Sequence, residues 1–173
     1  YQDATGKKRL TSVMVMCDAV PRETFVLHRG DFKEKRDRVY PKVPECFNTP
    51  LPTDRVADRL VLGFWLVDPR HPLTSRVLAN RLWEIAFGTG LVRTSEDFGA
   101  RGEGPTHPEL LDWLAHRFMD SGWSIKAMHR LICTSAAYQQ TSIPGEEALR
   151  LDPDNAFFTR QHRMKLSAEE LRD

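Results

Sequence analysis

The sequence has few cysteines, no long apolar run and almost no excess of charge. Cys17, Cys46 and Cys133 are widely separated and show no CxxC or CxxCH spacing, so a disulfide framework is excluded, although one pair could still bridge. No stretch is apolar over the roughly 18 residues that a membrane helix needs. The net charge of +1, from 25 basic and 24 acidic residues, gives no general attraction to nucleic acid, membranes or acidic substrates.

The length and composition are those of an ordinary globular domain. With 173 residues and 40% hydrophobic content, the chain can bury one core, and we expect one or one and a half domains. It opens at Tyr1 rather than at a methionine and closes at Asp173 inside an expected helix. We therefore expect a fragment of a longer protein, in which missing targeting signals carry no information on location.

The most regular pattern is a succession of helix starts and glycine stops between residues 71 and 141. Thr106 and Glu109 have the spacing of a capping box, and they predict a helix that ends at Gly122. Its apolar residues recur at helical spacing: Leu110, Leu111, Leu114, Ala115 and Phe118. Ser124 is the expected N-cap of the next helix, which should pack on the first as a hairpin. The buried stripe expected there is Ile125, Met128, Leu131, Ile132 and Ser135.

A further helix is predicted upstream, capped by Thr74 or Ser75 and stopped at Gly88. Its expected apolar stripe is Val77, Leu78, Leu82, Ile85 and Ala86, with Asn80, Arg81 and Trp83 interrupting or flanking it. The connection that follows, residues 88–105, is longer than most loops of compact domains. Such loops often carry function, and this one is rich in glycine.

The N-terminal third predicts a small β element. Two β-prone runs, 12–17 and 23–28, are expected to pair as an antiparallel ribbon, and the charge run 33–38 is expected to be a solvated loop. Prolines stiffen residues 40–52 into an extended strap, and another helix should begin near Thr53 or Asp54 and end at Asp68.

We therefore predict a mainly α-helical fold with a small N-terminal antiparallel β element. The expected domains are a β ribbon with its strap over 1–52, a helical core over 53–141, and a linker with the start of a further helix over 142–173. That last helix is predicted from a second capping-box pattern at Ser167 and Glu170.

A series of ordered motifs resembles a known family. The motifs are His71-Pro72-Leu73-Thr74-Ser75-Arg76-Val77, Asn80-Arg81-Leu82-Trp83, Phe87-Gly88-Thr89-Gly90-Leu91-Val92, Asp97-Phe98-Gly99, His107-Pro108-Glu109-Leu110-Leu111-Asp112-Trp113-Leu114, Ser121-Gly122-Trp123-Ser124 and Ser135-Ala136-Ala137-Tyr138. Together they are similar to the family of domain of unknown function 1553, a planctomycete-type domain. The resemblance extends to Arg29-Gly30-Asp31 and to residues 152–172, so it covers nearly the whole chain.

The resemblance implies a helical module of a secreted or periplasmic protein, with no established activity. Members of that family often follow a cytochrome-c-like module, so haem c is expected in a neighbouring domain and no cofactor in this stretch. The implied partners are neighbouring domains of the same polypeptide. We expect a structural or ligand-binding role, in redox or polysaccharide use. The alternative is a hydrolase with its site at loop 88–105.

Candidate ligand-binding residues surround that loop. A buried Arg81 would need a partner, and Glu96, Asp97 or Asp112 are the available carboxylates. The first hypothesis is an ion pair that ties the loop to its helix. The second is a pocket in which arginines face an anionic or sugar ligand and a tryptophan stacks on it. The residues of this second hypothesis are Arg76, Arg81, Arg101, Asn80, and Trp83 or Trp113.

Arg29 and Asp31 are further ligand-binding candidates. Together with His28 they have the composition of an anion clamp beside a base and an orienting carboxylate. The competing interpretation is that Arg29 and Asp31 pair with each other or with Arg81 and hold the ribbon on the helices.

Candidate catalytic residues are Asp97, His107 and Glu109. Glycoside hydrolysis requires two carboxyl groups roughly 5 to 9 Å apart, and the loop offers Glu96, Asp97, Glu103 and Glu109 for such a pair. No metal site is predicted, because the six histidines lack ligand spacing. The second helix of the hairpin begins with Lys126, His129 and Arg130, but we expect no nucleic-acid binding from a chain of neutral charge.

Overall fold

The computed structural model describes residues 13–15, 17, 22–47, 49–51 and 57–163. Over these ranges the chain is mainly helical with one two-stranded antiparallel sheet, which confirms the predicted fold class. It divides into two compact units, the first comprising Tyr1–Glu45 with Pro50–Gly63 and the second Cys46–Thr49 with Phe64–Asp173. The predicted starts of helices at Thr53 or Asp54 and at Ser167 lie outside the described residues.

The sheet of the first unit joins β1 (Thr24–Leu27) to β2 (Lys35–Val39), with Thr24 opposite Val39. The predicted pairing was wrong, because the described residues of the run 12–17 form no strand. The charge run 33–38, predicted to be a loop, supplies β2 instead. An ion pair of 2.7 Å between Arg38 and Glu23 and the Lys35 ammonium 5.2 Å from the Phe25 ring stabilise this polar ribbon. Its residues are almost all exposed, so polarity does not prevent pairing here.

Five α-helices occur in the described ranges: α1 (Arg59–Leu66), α2 (Thr74–Phe87), α3 (Pro108–Asp120), α4 (Ile125–Cys133) and α5 (Glu146–Leu151). Asp58 caps α1, since its Oδ1 accepts a hydrogen bond of 2.8 Å from the Val61 amide. Short 3-10 turns form at His28–Gly30 and Glu45–Phe47. Within the described ranges, none of the helices is sufficiently long and apolar to span a membrane.

The start of α2 differs from its prediction. Neither Thr74 nor Ser75 caps the helix; the residue at the N-cap is Leu73, and it forms no side-chain cap. Instead, the His71 imidazole lies over the helix start, and Nδ1 accepts hydrogen bonds from the amides of Leu73 and Thr74 at 3.3 and 3.2 Å. The histidine satisfies donors that helix geometry leaves without partners.

The buried face of α2 is rotated from the predicted stripe. Leu78 and Ile85, both expected inside, are 38% and 64% exposed. The residues that are buried are Ser75, Ala79, Asn80, Leu82, Trp83, Ala86 and Phe87. Two of the residues that interrupted the pattern, Asn80 and Trp83, therefore lie in the core.

The capping box predicted for α3 does not form. His107 is the N-cap without a side-chain bond, and the Thr106 hydroxyl donates to the Leu91 carbonyl at 3.3 Å. The Thr106 amide also donates to Leu91, at 2.8 Å, so Thr106 is committed to the preceding loop. The helix and its core face are nevertheless as predicted, since Leu111, Leu114, Ala115 and Phe118 are buried.

The junction between α3 and α4 confirms its prediction. Gly122 has a φ of 67°, and its amide and that of Trp123 donate to the carbonyls of Met119 and Phe118, a Schellman arrangement. Ser124 then caps α4, its hydroxyl accepting the Ala127 amide at 3.3 Å. Met128 and Ile132 of the expected α4 stripe are buried, whereas Ile125 is 56% exposed.

The core of the second unit is built where α2, α3 and α4 meet. Phe87 is fully buried, Trp83 stacks on it with ring centroids 4.2 Å apart, and Phe158 packs edge-on against both rings. Phe158 is held by a polar turn after α5. In that turn the carboxylate of buried Asp152 accepts the amides of Ala156 and Phe157 at 2.7 and 3.0 Å.

Candidate functional site

Loop 88–105 is fixed to α2 by one buried amide side chain. Asn80 is fully buried; its Oδ1 accepts the Val92 amide at 2.8 Å, and its Nδ2 donates to the Val92 carbonyl at 3.0 Å. Nδ2 also lies 3.1 Å from the Ser95 hydroxyl. A Cβ on Gly90 would approach Nδ2 to 2.5 Å, so the absence of a side chain there allows the loop to pass.

The far end of the loop is closed by Thr94. Its hydroxyl donates to the Asp97 carbonyl at 3.0 Å and accepts the Glu103 amide at 2.9 Å. A Cβ on Gly102 would overlap the carbonyl oxygen of Asp97, so glycine is required at this crossing. The loop is therefore held in one conformation by internal hydrogen bonds and by its bonds to α2.

The loop, α2 and α3 together enclose a cleft of about 250 Å³. Its polar side chains come from three elements: Arg76 on α2, Glu103 in the loop and Asp112 on α3. The remaining lining is apolar or glycine: Val92, Phe98, Gly99, Gly102, Gly104, Pro105, Pro108 and Leu111. An apolar pocket with a few convergent polar groups is the usual form of a small-molecule site.

An ion pair forms one wall of the cleft. Arg76 Nε donates to Asp112 Oδ1 at 2.6 Å, and Nη1 donates to the Pro72 carbonyl at 2.6 Å. The two side chains are 35% and 51% exposed, so they remain accessible from the cleft. No described residue bonds to Arg76 Nη2 or to Asp112 Oδ2. The wall thus presents a donor beside an acceptor, both in fixed positions.

The electrostatics of the cleft follow from this pair. The Arg76 hydrogen bond lowers the pKa of Asp112, so its carboxylate is ionised at neutral pH. With Arg76 positive and both Asp112 and Glu103 carboxylates, the ionised lining sums to one negative charge. Such a lining favours a neutral or cationic ligand over an anionic one.

The residues predicted around the loop do not all reach this cleft. Arg81 pairs with Glu96 at 3.1 Å, one of its three expected partners, but the two side chains are 49% and 86% exposed. The first hypothesis, an ion pair between the loop and its helix, is confirmed, but the guanidinium is not buried. A pair so exposed contributes little to stability. Asn80 has a structural role in fixing the loop. Trp83 is 4% exposed and stacked in the core, and Arg101 is exposed and forms no hydrogen bond, ion pair or ring contact with another described residue.

Arg29 and Asp31 belong to the first unit, whereas the cleft belongs to the second. Arg29 adopts a φ of 50° at the turn between the strands, and Asp31 Oδ1 accepts the Lys33 amide at 2.9 Å. Within the described residues these two side chains form no ion pair with each other, so that predicted pairing was wrong. Their pairing with Arg81 and their ligand role stay predictions.

The three catalytic candidates are dispersed. Asp97 staples the loop, its Oδ1 accepting the Gly99 amide at 2.8 Å. His107 lies at the start of α3, with Nδ1 3.0 Å from the Thr106 hydroxyl and its ring about 6 Å from Phe158. Glu109 is exposed. None of the three lines the cleft, and their catalytic role stays a prediction.

The sequence did not predict that Asp112 is the ion-pair partner of Arg76, or that Phe98 lines a cleft. Arg76 and Asp112 are 36 positions apart, and nothing in the sequence marks which arginine a given carboxylate meets. The signal that was available is glycine spacing, since Gly99, Gly102 and Gly104 recur beside Phe98 and Glu103.

Sequence reasoning also missed the aromatic setting of His71. The ring is 7% exposed and lies edge-on to Trp65 at 4.4 Å between centroids, with Phe47 at 5.2 Å. Burial lowers the pKa of His71, although the charge of Asp68 opposes this shift. The Trp65 indole in turn donates to the Thr49 carbonyl at 2.6 Å.

No group of three or more His, Cys, Asp or Glu side chains placed to hold a metal ion occurs in the part of the chain that the structure describes. The three cysteines are free and exposed.

Comparison with known proteins gives one family. The family model PSD1, described as a protein of unknown function (DUF1553), matches residues 58–173. This range includes α2, α3, the loop between them and the entire cleft. No curated protein matches the chain, and no solved structure matches it.

Proposed function

The chain belongs to the PSD1 family of proteins of unknown function (DUF1553), and we propose that it is a ligand-binding module whose cleft holds a neutral saccharide. The observation that carries the proposal is the Arg76–Asp112 pair, which offers a donor and an acceptor side by side in the wall of a glycine-lined cleft. A sugar presents neighbouring hydroxyl groups, each of which both donates and accepts. A fixed guanidinium and carboxylate match such a diol.

The lining supports a sugar more than an anion. Glu103 adds a second carboxylate, so an anionic ligand would meet net negative charge. Phe98 and Leu111 add apolar surface for the C–H face of a pyranose ring. The volume of about 250 Å³ suits one or two sugar units rather than a long chain buried end to end.

Titration with sugars tests the proposal. Cellotriose and maltotriose are added to the isotope-labelled chain, and amide shifts are followed by NMR, with galacturonic acid as the anionic comparison. We expect saturable shifts at Gly99, Gly102 and Gly104, dissociation constants of roughly millimolar order, and weaker binding of the acid. Shifts that never saturate, or stronger binding of galacturonic acid, would contradict a neutral-saccharide site.

Two variants locate the ligand. Asp112→Asn removes the charged acceptor from the cleft and should weaken cellotriose binding about tenfold. Arg81→Ala removes the surface bridge to Glu96, outside the cleft, and should leave binding unchanged. If Arg81→Ala weakened binding and Asp112→Asn did not, the ligand would lie at Arg81, which the sequence alone favoured.

A hydrolase is the second candidate, and one observation favours it. Glu103 and Asp112 line the same cleft, and glycoside hydrolysis uses two carboxyl groups. Asp112, with its lowered pKa, fits the base or nucleophile, and Glu103 is the second carboxyl group of the cleft. Under this hypothesis cellotriose is cleaved, Asp112→Asn abolishes release of reducing ends, and binding persists. If cellotriose binds but is not cleaved, the result supports a ligand-binding module rather than a hydrolase.

The setting of the module is also proposed from the family. We infer an extracytoplasmic multidomain protein, periplasmic or secreted, in which neighbouring domains are the partners and a c-type cytochrome module carries haem. Saccharide binding would then serve polysaccharide use by the whole protein. Fractionation of the native host followed by haem staining of the full-length protein tests this setting, and a cytoplasmic protein without haem would contradict it.

A further inference from the structure

The exposed side of α4 carries a basic groove that is separate from the cleft. Its volume is about 530 Å³, and it is lined by Ser124, Lys126, Ala127, Arg130, Leu131 and Thr134. Because residues four apart lie one above the other on a helix, Lys126 and Arg130 form one row and Ala127 and Leu131 the next. Thus a cationic row runs alongside an apolar row.

Some arginines of the second unit are paired with a carboxylate, whereas others, such as Arg101 and Arg150, have no such partner among the described residues. Arg70, Arg76 and Arg81 each have a carboxylate partner, at 2.8, 2.6 and 3.1 Å. Lys126 and Arg130 bond through their side chains to no residue in the described part of the chain, and no acidic residue lines the groove. Their charge is therefore available to a partner.

We propose that the α4 groove docks an acidic amphipathic helix of a partner protein. Lys126 and Arg130 are separated by about 6 Å along the helix axis, the spacing at which a second helix repeats its own i, i+4 side chains. Two glutamates one turn apart match the cationic row. A leucine row beside them covers Ala127 and Leu131, in the helix-in-groove mode of recognition.

A nucleic acid fits the groove less well. Duplex binding rests on many phosphate contacts, and this groove supplies two cations from a chain whose net charge is +1. The apolar row would have no role against a phosphate backbone. An acidic helix uses both rows.

The test uses a capped 14-residue synthetic helix with glutamate and leucine in adjacent i, i+4 rows, labelled for fluorescence anisotropy and titrated with the full chain. We expect saturable binding that weakens with salt. Replacing either the glutamates by glutamine or the leucines by serine should lower affinity about tenfold. An affinity that does not change when the leucines are replaced by serine would overturn the proposal.

Charge-reversal variants give the matched control. Arg130→Glu, and independently Lys126→Glu, should lower the affinity for the peptide about tenfold. Arg150→Glu reverses an exposed charge on α5 and changes the net charge equally, and it should leave the affinity within about twofold of the wild-type value. Equal losses of affinity in all three variants would show a general effect of net charge and would overturn the proposal that the peptide binds in the groove. A 14-base-pair DNA duplex that binds more tightly than the peptide and displaces it would overturn the choice of partner. Circular dichroism of each variant confirms that the helices persist.

Discussion

Asn80 engages Val92 at both of its backbone polar groups, with Oδ1 2.8 Å from the Val92 nitrogen and Nδ2 3.0 Å from its carbonyl oxygen. This is the pairing that a neighbouring strand would give, supplied here by one side chain on a helix. Because both residues are almost fully buried, water cannot replace either bond. The position of the loop, and with it one wall of the cleft, depends on this amide.

Replacing Asn80 by alanine should lower the free energy of unfolding by about 2 to 4 kcal/mol. The substitution leaves the buried Val92 amide without a partner, and the Val92 carbonyl keeps only the Ser95 hydroxyl at 3.4 Å. Urea unfolding followed by tryptophan fluorescence measures the change. Ser95→Ala is the control, because it removes the 3.1 Å contact with Asn80 and a 3.4 Å bond to the Val92 carbonyl but keeps both bonds between Asn80 and Val92. It should cost less than about 1 kcal/mol. Equal losses would mean that the Val92 bonds contribute little.

Two glycines in the same loop should respond oppositely to alanine. At Gly102 a Cβ would overlap the Asp97 carbonyl oxygen, whereas at Gly104 nothing lies within 4 Å of it. Gly102→Ala should therefore cost about 2 kcal/mol or more and alter the amide shifts of the loop. Gly104→Ala should be neutral or stabilising by up to about 1 kcal/mol, because it restricts the unfolded chain. Urea unfolding compares them, and similar values would contradict the close crossing at residue 102.

The helices could be predicted from sequence because their signals are local. The stop at Gly122 and the cap at Ser124 lie within a few residues of the groups that they satisfy, and both were confirmed. The capping box at Thr106 failed although it is local, because the Leu91 carbonyl, 15 positions away, competes for the hydroxyl. A local capping pattern therefore predicts the cap correctly only when no group that is distant in sequence forms a better hydrogen bond with the capping side chain.

The face of α2 and the cleft required information that the sequence does not display. Asn80 and Trp83 read as interruptions of an apolar stripe, yet Asn80 can be buried because Val92 satisfies its amide. The Arg76–Asp112 pair likewise depends on how α2 and α3 pack. The N-terminal ribbon was mispaired for a related reason, since β2 is fully exposed and therefore lacks the apolar alternation that marks a half-buried strand.

The ion pair of the cleft should contribute modestly to stability. A double-mutant cycle of Arg76→Ala and Asp112→Ala should give a coupling of about 0.5 to 1 kcal/mol at low salt, because both side chains are more than one third exposed. Added salt should reduce the coupling. Urea unfolding of the four proteins measures it. A coupling of several kcal/mol would mean that the pair is chiefly structural and would weaken the case for a ligand there.

The stability of the second unit should also depend on pH through His71. Nδ1 accepts the amides of Leu73 and Thr74 and lies 2.9 Å from the Thr74 hydroxyl, so the folded protein requires the neutral ring. Burial accordingly lowers the pKa of His71 in the folded state below its usual 6.5. The stabilisation is therefore complete above about pH 6.5 and is lost as the pH falls from there toward the folded-state value, because the unfolded chain takes up the proton first.

Urea unfolding between about pH 5 and pH 8 isolates this effect, since the lowered carboxyl pKa values of Asp68, Asp112 and Asp152 act below pH 4. We expect the free energy of unfolding to fall toward pH 5 in the wild-type chain. In His71→Ala it should be lower at pH 8 and should change less with pH, because the variant has lost both the cap and the titrating group. His116→Ala, which removes an exposed histidine of α3, should keep the wild-type slope. If instead the slope persists in His71→Ala, another group titrates on unfolding, and the imidazole at the start of α2 is not the origin of the pH dependence.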